Sequence, residues 1–436
     1  MQHFFVWTLY IYFNIMINKI YLTTCLSLVY LFTFSQSSTG FLIKPERVFD
    51  GQDMHSNWWV WVDSGMIKAA GPATSFSFPK TVSVMEFPGK TLMPGMIEGH
   101  GHLFLHPYNE TPWDDQVLKE SRAERTARAV NHSRETLLAG FTTLRDLGTE
   151  GAMYDDAGLK QAIEKGIIPG PRLIIATRAI VATGSYGPAN TPDLVLPKGA
   201  AETDGLEGMA REVRMQIGMG ADIIKIYADY RWGLNREARP TFTEAEIRTA
   251  VEVAGSSGRQ VVAHAVTEEG MRRAIFAGVK TIEHGDGATP EIYRLMKEKD
   301  IALYPTLAAG EAILQYRGWV KGKDRDPPGI TEKKLSFRQA IETGVTIGMG
   351  GDVGVYAHGD NAREMELMKE YGMTEIAVLR SVTLVNASIF GIKNKVGSIK
   401  SGLLADLIIV EGDPSKEISL VRKVTAVMKG GVWYKK

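Results

Sequence analysis

Cysteine is almost absent: Cys25 is the single thiol in 436 residues. It lies inside an apolar N-terminal segment, so a chain freed of that segment has no disulfide framework, no cysteine nucleophile and no zinc–thiolate site. An excess of one charge is also missing. Lys and Arg together number 50, as do Asp and Glu, and there is no long basic run. Such a chain lacks the electrostatic footprint of a nucleic-acid binder or of a protein held to an anionic membrane. No low-complexity linker breaks the sequence, and no internal repeat shows beyond an alternation of strands and helices.

The N-terminus is set apart before the fold is considered. Phe4 to Ile15 is apolar and aromatic, Asn18-Lys19 interrupts it, Ile20 to Phe34 is apolar again, and Ser35-Gln36-Ser37-Ser38-Thr39-Gly40 is small and polar. Taken from Met16, a candidate true start, these are the basic, apolar and cleavage regions of a secretory signal peptide. Residues 1–39 are assigned to it, and a secreted or periplasmic location is expected. The alternative is an uncleaved membrane anchor, because the interrupted run approaches the ~20 residues that a spanning helix needs. A lipoprotein signal at Leu22-Thr23-Thr24-Cys25 is disfavoured, since the apolar run continues past the cysteine.

Residues 40–93 carry short strand patterns at Phe41-Leu42-Ile43, Trp58 to Val62, Met66 to Ala70 and Val82 to Phe87, separated by turn signals such as Asp63-Ser64-Gly65. The clustered aromatics fit a sheet core better than a ligand cage. From Pro94 the pattern changes to apolar strands alternating with amphipathic helices, the signature of parallel βα units. After Thr91 to Ile97 with its following His100 and His102, the strand candidates are Thr142–Asp146, Arg172–Ala176, Ile223–Tyr227, Val261–His264, Thr281–His284, Ile301–Tyr304 and Val345–Gly350, making eight. Helices are expected at Gln116 to Ala139, Glu202 to Met219, Thr243 to Ser256, Glu268 to Ala277, Pro290 to Lys299 and Glu332 to Thr343, with a capping box at Thr243-Glu244-Ala245-Glu246. This is the count of a (β/α)8 barrel over residues 94–392, and Asn361 to Tyr371 and Thr374 to Phe390 add two more helices. Residues 393–436 return to β pattern, and two β segments flanking one barrel most simply join in a single composite sandwich.

The strand ends carry the chemistry. His100 and His102, at i and i+2 of an extended segment, project to one side and can reach one cation. Lys225, His264, His284 and Asp352 each end another strand-like run, and in such a barrel these ends meet at one rim. Imidazole and carboxylate suit zinc and similar divalent ions. A lysine ammonium has no lone pair to offer. Lys225 makes sense if its amine has condensed with carbon dioxide to a carbamate, an anion with two oxygens able to bridge two metals.

The stretches MPGMIEGHGHL, GFTTLRDLG, ADIIKIYA, VVAHAVTEEGMRRAIFAGVKTIEHG, GGDVG, HGDNAREMELM and VGSIKSGLLADLIIVEGDP resemble the amidohydrolase superfamily, most closely its imidazolonepropionase-like and prolidase-like branch of Xaa-Pro dipeptidases and L-amino acid carboxypeptidases. The resemblance implies a distorted (β/α)8 TIM barrel of the α/β class with a small β-sandwich built from both ends of the chain. It implies two divalent metal ions, zinc being the expectation. His100, His102 and Asp352 would hold the more buried ion and His264 and His284 the more exposed one, with carboxylated Lys225 and a hydroxide bridging them. Attack by that hydroxide would break a C–N bond in a dipeptide or N-acyl amino acid, and Asp352 would carry the proton to the leaving amine.

For substrate, Tyr227 shares a strand face with Lys225 and can donate a hydrogen bond, or it is a core tyrosine. Arg145 can bind a carboxylate, or it forms a buried pair with Asp146 or another acid. His358 is expected on the rim as a specificity residue. His106 and His132 read as ordinary, His132 on a solvated helix face. Many relatives have a Thr-Gly-Gly-His-like segment after the third strand; here it is Thr183-Gly184-Ser185-Tyr186, so a histidine is absent and Tyr186 stands as its replacement. The expected partner is a small amide or peptide substrate, with no nucleic acid, and homo-oligomerisation stays open. Two other functions are weighed. Imidazolonepropionase-like ring hydrolases are mononuclear and lack the fourth-strand lysine, which Lys225 opposes. A silent scaffold usually loses metal ligands, and all six candidates are present.

Overall fold

The computed structural model describes residues 40–74, 78, 82–188 and 193–436. The expected signal segment lies outside the described residues. Among those described, no helix is long and apolar enough to cross a membrane.

The long strand Ser83–Pro94 joins the two ends of the chain. Along its length it pairs in parallel with Phe41–Phe49, and its second half pairs antiparallel with Leu407–Glu411, Leu92 opposite Ile409. The resulting eight-stranded sheet runs Val432–Lys435, Val424–Lys429, Leu407–Glu411, Ser83–Pro94, Phe41–Phe49, Trp58–Asp63, Met66–Pro72, with Met54–Ser56 beside Phe41–Phe49. The sheet folds back on itself: the Phe41 ring lies 5.9 Å from Trp433, and Met66 bridges Leu404. Ile43, Val60, Leu92, Leu407, Ile409 and Met428 fill the space inside. The expected composite sandwich is thus one hydrogen-bonded sheet wrapped over its own core. The Trp58 ring packs against that core, as a sheet residue rather than a ligand cage.

Strand Met96–Gly101 follows directly after Gly95 and opens the barrel. It forms a parallel ladder with Phe141–Asp146 and Arg172–Ile175. A second ladder holds Ile180–Val181, Ile224–Tyr227, Val261–Ala265, Thr281–His284 and Ala302–Tyr304, with Ala201–Glu202 at its edge. The third barrel strand is therefore broken. Its first part pairs with the second strand, its last part with the fourth, and Thr177 at φ +59° turns the chain between them. The Asp222 and Ile223 amides donate to the Ile175 carbonyl and join the two ladders.

The expected eighth strand forms no ladder. Residues 345–353 are linked by the isolated bridges Leu303↔Ile347 and Gly101↔Val353, and by the Asp352 amide donating to the His100 carbonyl. The physical reason is its glycines. A Cβ on Gly348 would lie 2.4 Å from the Tyr304 ring and one on Gly350 2.8 Å from the His100 amide nitrogen, so bare backbone is pressed between neighbouring strands. The barrel is distorted as expected, and its ring is joined by single bridges there instead of a continuous ladder.

Most helices match the expected ranges. Glu268–Ala277 starts where the Thr267 hydroxyl accepts the Gly270 amide and stops at Gly278, φ +93°. The Thr243 capping box is formed. The expected helix from Gln116 to Ala139 is two helices, Trp113–Leu118 and Arg122–Leu138, because Ser121 caps the second by accepting the Glu124 amide. The expected helix from Thr374 to Phe390 contains a π turn at Ser381–Val385 between Glu375–Arg380 and Asn386–Ile389.

Candidate metal centre

Three of the expected ligands converge. The side-chain donor atoms of His100, His102 and Asp352 all lie within 4.8 Å of one another, and together they could hold a divalent cation. The Asp352 Oδ1 lies 3.6 Å from His100 Nε2 and 3.3 Å from His102 Nε2. Both rings are aimed by their other nitrogen. His100 Nδ1 donates to Glu283 Oε2 at 2.7 Å and His102 Nδ1 donates to the Gly148 carbonyl at 2.8 Å. Each partner requires a proton on Nδ1, so both rings turn Nε2 toward Asp352, and on the neutral His100 that nitrogen carries the lone pair.

His264 and His284 complete a contiguous group of rings. His284 lies 5.1 Å from His100 and 4.5 Å from His264, centroid to centroid. His284 Nδ1 is paired with the Thr306 hydroxyl at 2.8 Å, and His264 Nε2 is 3.8 Å from Asp229 Oδ1. The register of the parallel strands sets this grouping, with Tyr227 opposite His264 and Ala265 opposite His284. His284 and Asp352 adopt left-handed backbone, φ +75° and +59°. Non-glycine residues held there cost of order 1–3 kcal/mol each and concentrate where geometry serves function.

Lys225 is 1% exposed, and its Nζ is buried with no hydrogen-bond partner. Burial, with Arg145 nearby, pushes the amine down to about 8 despite the opposing pull of Glu283 and Asp352. Burial also pushes His100, His264 and His284 well below the ordinary imidazole value, with the Lys225 charge adding to each. Such rings are neutral and have lone pairs to give. Burial works against charge on His102 and Asp352 too, yet their mutual attraction prevails: His102 is raised to about 9 and Asp352 lowered to about 2. A buried amine with no hydrogen-bond partner thus shares its surroundings with the neutral rings of His100, His264 and His284 and the ionised Asp352.

The expected substrate residues separate. Tyr227 faces the centre, its ring stacked on His264 at 4.6 Å and 5.4 Å from Lys225 Nζ. Tyr186 lies 4.8 Å from Tyr227 and donates to Glu150. Arg145 is held by protein partners. It is buried in the barrel, donating to Glu283 at 2.8 Å, to the Gly99 carbonyl and to Thr281, with Tyr304 and Phe390 against its guanidinium. Its acid is Glu283, not Asp146. His358, expected on the rim, is buried, its Nε2 donating to the Leu105 carbonyl and its ring stacked on His132 at 4.3 Å. His132 is accordingly not on a solvated face: it is half-buried and bonded to the Leu103 carbonyl. His106 is buried between Glu110 and Glu120.

Glu283, Glu98 and Glu150 were missed. Glu98 accepts the His100 and Gly351 amides and the Asn361 side chain, and burial lifts it to about 7. A glutamate inside an otherwise apolar parallel strand, as in Met96-Ile97-Glu98 and Thr281-Ile282-Glu283, was the signal available.

With this geometry in place, comparison with known proteins is decisive. The Amidohydrolase family model matches residues 91–434. The chain belongs to the amidohydrolase family. Among curated relatives of this amidohydrolase, ochratoxinase of Aspergillus niger is 30% identical over 374 residues, spanning 79% of this chain and 75% of the relative. A solved Xaa-Pro dipeptidase with bound methionine in the active site superposes with a TM-score of 0.81 at 30% identity, over 91% of this chain and 100% of the other. A prolidase complexed with N-methylphosphonate-L-proline gives a TM-score of 0.79 at 26% identity, over 91% of this chain and 100% of the other. Family membership and these neighbours support a hydrolase acting on C–N bonds.

Proposed function

We propose that this amidohydrolase is a binuclear metal enzyme, zinc being the expected ion, that hydrolyses the amide bond of dipeptides or N-acyl amino acids. The observation that carries the proposal is Lys225, whose buried, unpartnered Nζ stands among His100, His264, His284 and Asp352. Its lowered amine has an unusually accessible neutral form, the form that adds to carbon dioxide. The carbamate would turn a cation repelled by any metal into a two-oxygen anionic ligand. His100, His102 and Asp352 would hold the deeper ion, His264 and His284 the other, with Lys225 shared. Divalent ions held by these residues would supply a water acidified from a pKa of ~15.7 toward ~7 and polarisation of the scissile carbonyl.

The chain's own groups do the rest. Asp352, held ionised with its value lowered to about 2, accepts the proton of the attacking water and delivers it to the departing amine. Glu283 and the Gly148 carbonyl keep the His100 and His102 rings in one tautomer. Tyr227, stacked on His264, would donate to a substrate oxygen. The dipeptidase, prolidase and ochratoxinase relatives support a small amide substrate, and an apolar N-terminal segment supports export. The test is metal content per chain together with hydrolysis of a mixed dipeptide and N-acyl amino acid library, for wild type and Lys225→Ala. About two metals per chain, lost with activity in the variant, is the expected result. One metal or none, with variant and wild type alike, would sink the shared-lysine assignment.

A further inference from the structure

Glu150 lies two residues beyond Gly148, whose carbonyl holds the His102 ring. It is 2% exposed. Its Oε2 accepts the Trp113 indole N–H at 3.0 Å and the Tyr186 hydroxyl. Its Oε1 is buried and has no hydrogen-bond partner. Arg125, the cation felt nearby, is committed elsewhere: its guanidinium donates to the Phe104 and Thr149 carbonyls, and it makes no ion pair with Glu150.

Around this carboxylate runs an unbroken set of aromatic rings leading to the metal centre. Trp113 lies 5.2 Å from Tyr186; Tyr186 lies 4.8 Å from both Tyr227 and Tyr230; Tyr227 stacks on His264. A carboxylate only accepts, so what fills Oε1 must donate. Two of these rings already hold Oε2 through their edge donors, the Trp113 N–H and the Tyr186 O–H, and a charge-assisted contact to Oε1 would be roughly twice as strong as a neutral one. A carboxylate or a thioether brings no donor, and an N-acylated amine brings one neutral amide N–H. A primary ammonium brings three, with the matching charge.

We infer that Glu150, framed by Tyr186, Tyr227 and Tyr230, receives the free α-ammonium group of the substrate, so that the site selects dipeptides over N-acyl amino acids. The inference rests on the amide-hydrolase reading above and narrows its substrate class. The hydroxyl of Tyr186, at the position where relatives were noted to have histidine, then serves to hold the carboxylate in place.

Two measurements test it. Metal-loaded wild type and Glu150→Gln are compared on a set of dipeptides and their N-acetyl counterparts. Wild type is expected to prefer the free amine by roughly tenfold or more in kcat/KM, the scale of one charge-assisted hydrogen bond. In Glu150→Gln that ratio should collapse toward one, chiefly through KM of the free-amine substrates. Separately, calorimetry follows L-leucinamide and N-acetyl-L-leucinamide binding to the metal-free protein, with leucinamide binding expected in wild type and lost in the variant. A wild type indifferent to acetylation, a ratio unchanged in Glu150→Gln, or leucinamide bound equally by both proteins would each overturn the assignment. If wild type cleaves neither substrate class, the amide-hydrolase reading itself fails, while the leucinamide titration still decides the role of Glu150.

Discussion

Replacing Glu283 with glutamine removes one negative charge from the middle of the barrel, and the structure states what that charge does. Glu283 is fully buried. Its Oε1 accepts Arg145 Nη2 at 2.8 Å and the Thr281 hydroxyl, and its Oε2 accepts His100 Nδ1 at 2.7 Å. Every partner is a donor, so the glutamine NH2 must confront one of them. Arg145 would keep the Gly99 carbonyl and the Tyr304 and Phe390 rings, 4.3 and 4.8 Å away, but no counter-charge. Breaking a buried pair from one side costs ~3–5 kcal/mol; with cation–π contacts retained, about 3 kcal/mol is expected.

If the amide instead turns its N–H to His100, the ring must accept on Nδ1 and carry its proton on Nε2, toward Asp352. Metal affinity should then fall ~10–100-fold, the usual consequence of losing an outer partner of a ligand histidine. The assays are urea unfolding of the metal-free protein and chelator competition for the metal. Adding Arg145→Met should restore most of the stability, because the orphan guanidinium is gone, and none of the metal affinity. A single variant within about 1 kcal/mol of wild type with unchanged metal affinity, or a double variant that regains neither stability nor folding, would refute the reasoning.

Lys225 yields a pH prediction. Burial takes its amine from 10.5 to about 8, so between those values the unfolded chain binds more protons than the folded one, and stability rises with pH. The penalty is full below about pH 8 and gone above about pH 10.5. In metal-free, carbon-dioxide-free buffer, wild type should gain on the order of 3 kcal/mol across that window relative to Lys225→Met, and parallel curves would refute it. Asp352→Asn should lower kcat by ~10²–10⁴ with KM changed only a few-fold, measured on whichever substrate wild type accepts; a raised KM at constant kcat would reassign Asp352 to binding. Gly99→Ala places a Cβ 2.2 Å from the Tyr304 ring and 2.5 Å from the Met349 carbonyl oxygen, so a loss of ~1–3 kcal/mol in thermal or urea unfolding is expected, and an unaffected midpoint would mean the ring closes differently.

Much of the fold and of the centre was legible because it is written at short range. The i, i+2 histidines of His100 and His102, His264 and His284 near the ends of their strands, the Thr243 capping box and the Thr267-to-Gly278 helix limits are all local spacings that recur in the structure, whereas Lys225 is the second residue of Ile224–Tyr227 and not its last. What stayed hidden is what sits across the barrel. Arg145 had two meanings in the sequence, and Glu283, 138 residues away, decides between them. His358 looked like a rim residue until Leu105, 253 residues away, supplied the carbonyl that holds it down. The broken third strand and the glycine segment at 345–353 follow from crowding against Tyr304 and the first strand, which no period reports.

By itself, then, the sequence determined the alternation of elements and the inventory of candidate ligands, since periodicity and residue chemistry act within a few positions. The tertiary structure alone decided which buried charges meet, as Glu283 with Arg145 and His100, and which are left without a hydrogen-bond partner, as Lys225 and one oxygen of Glu150. Desolvation and hydrogen-bond satisfaction depend on neighbours brought together from distant parts of the chain, and only folding brings them.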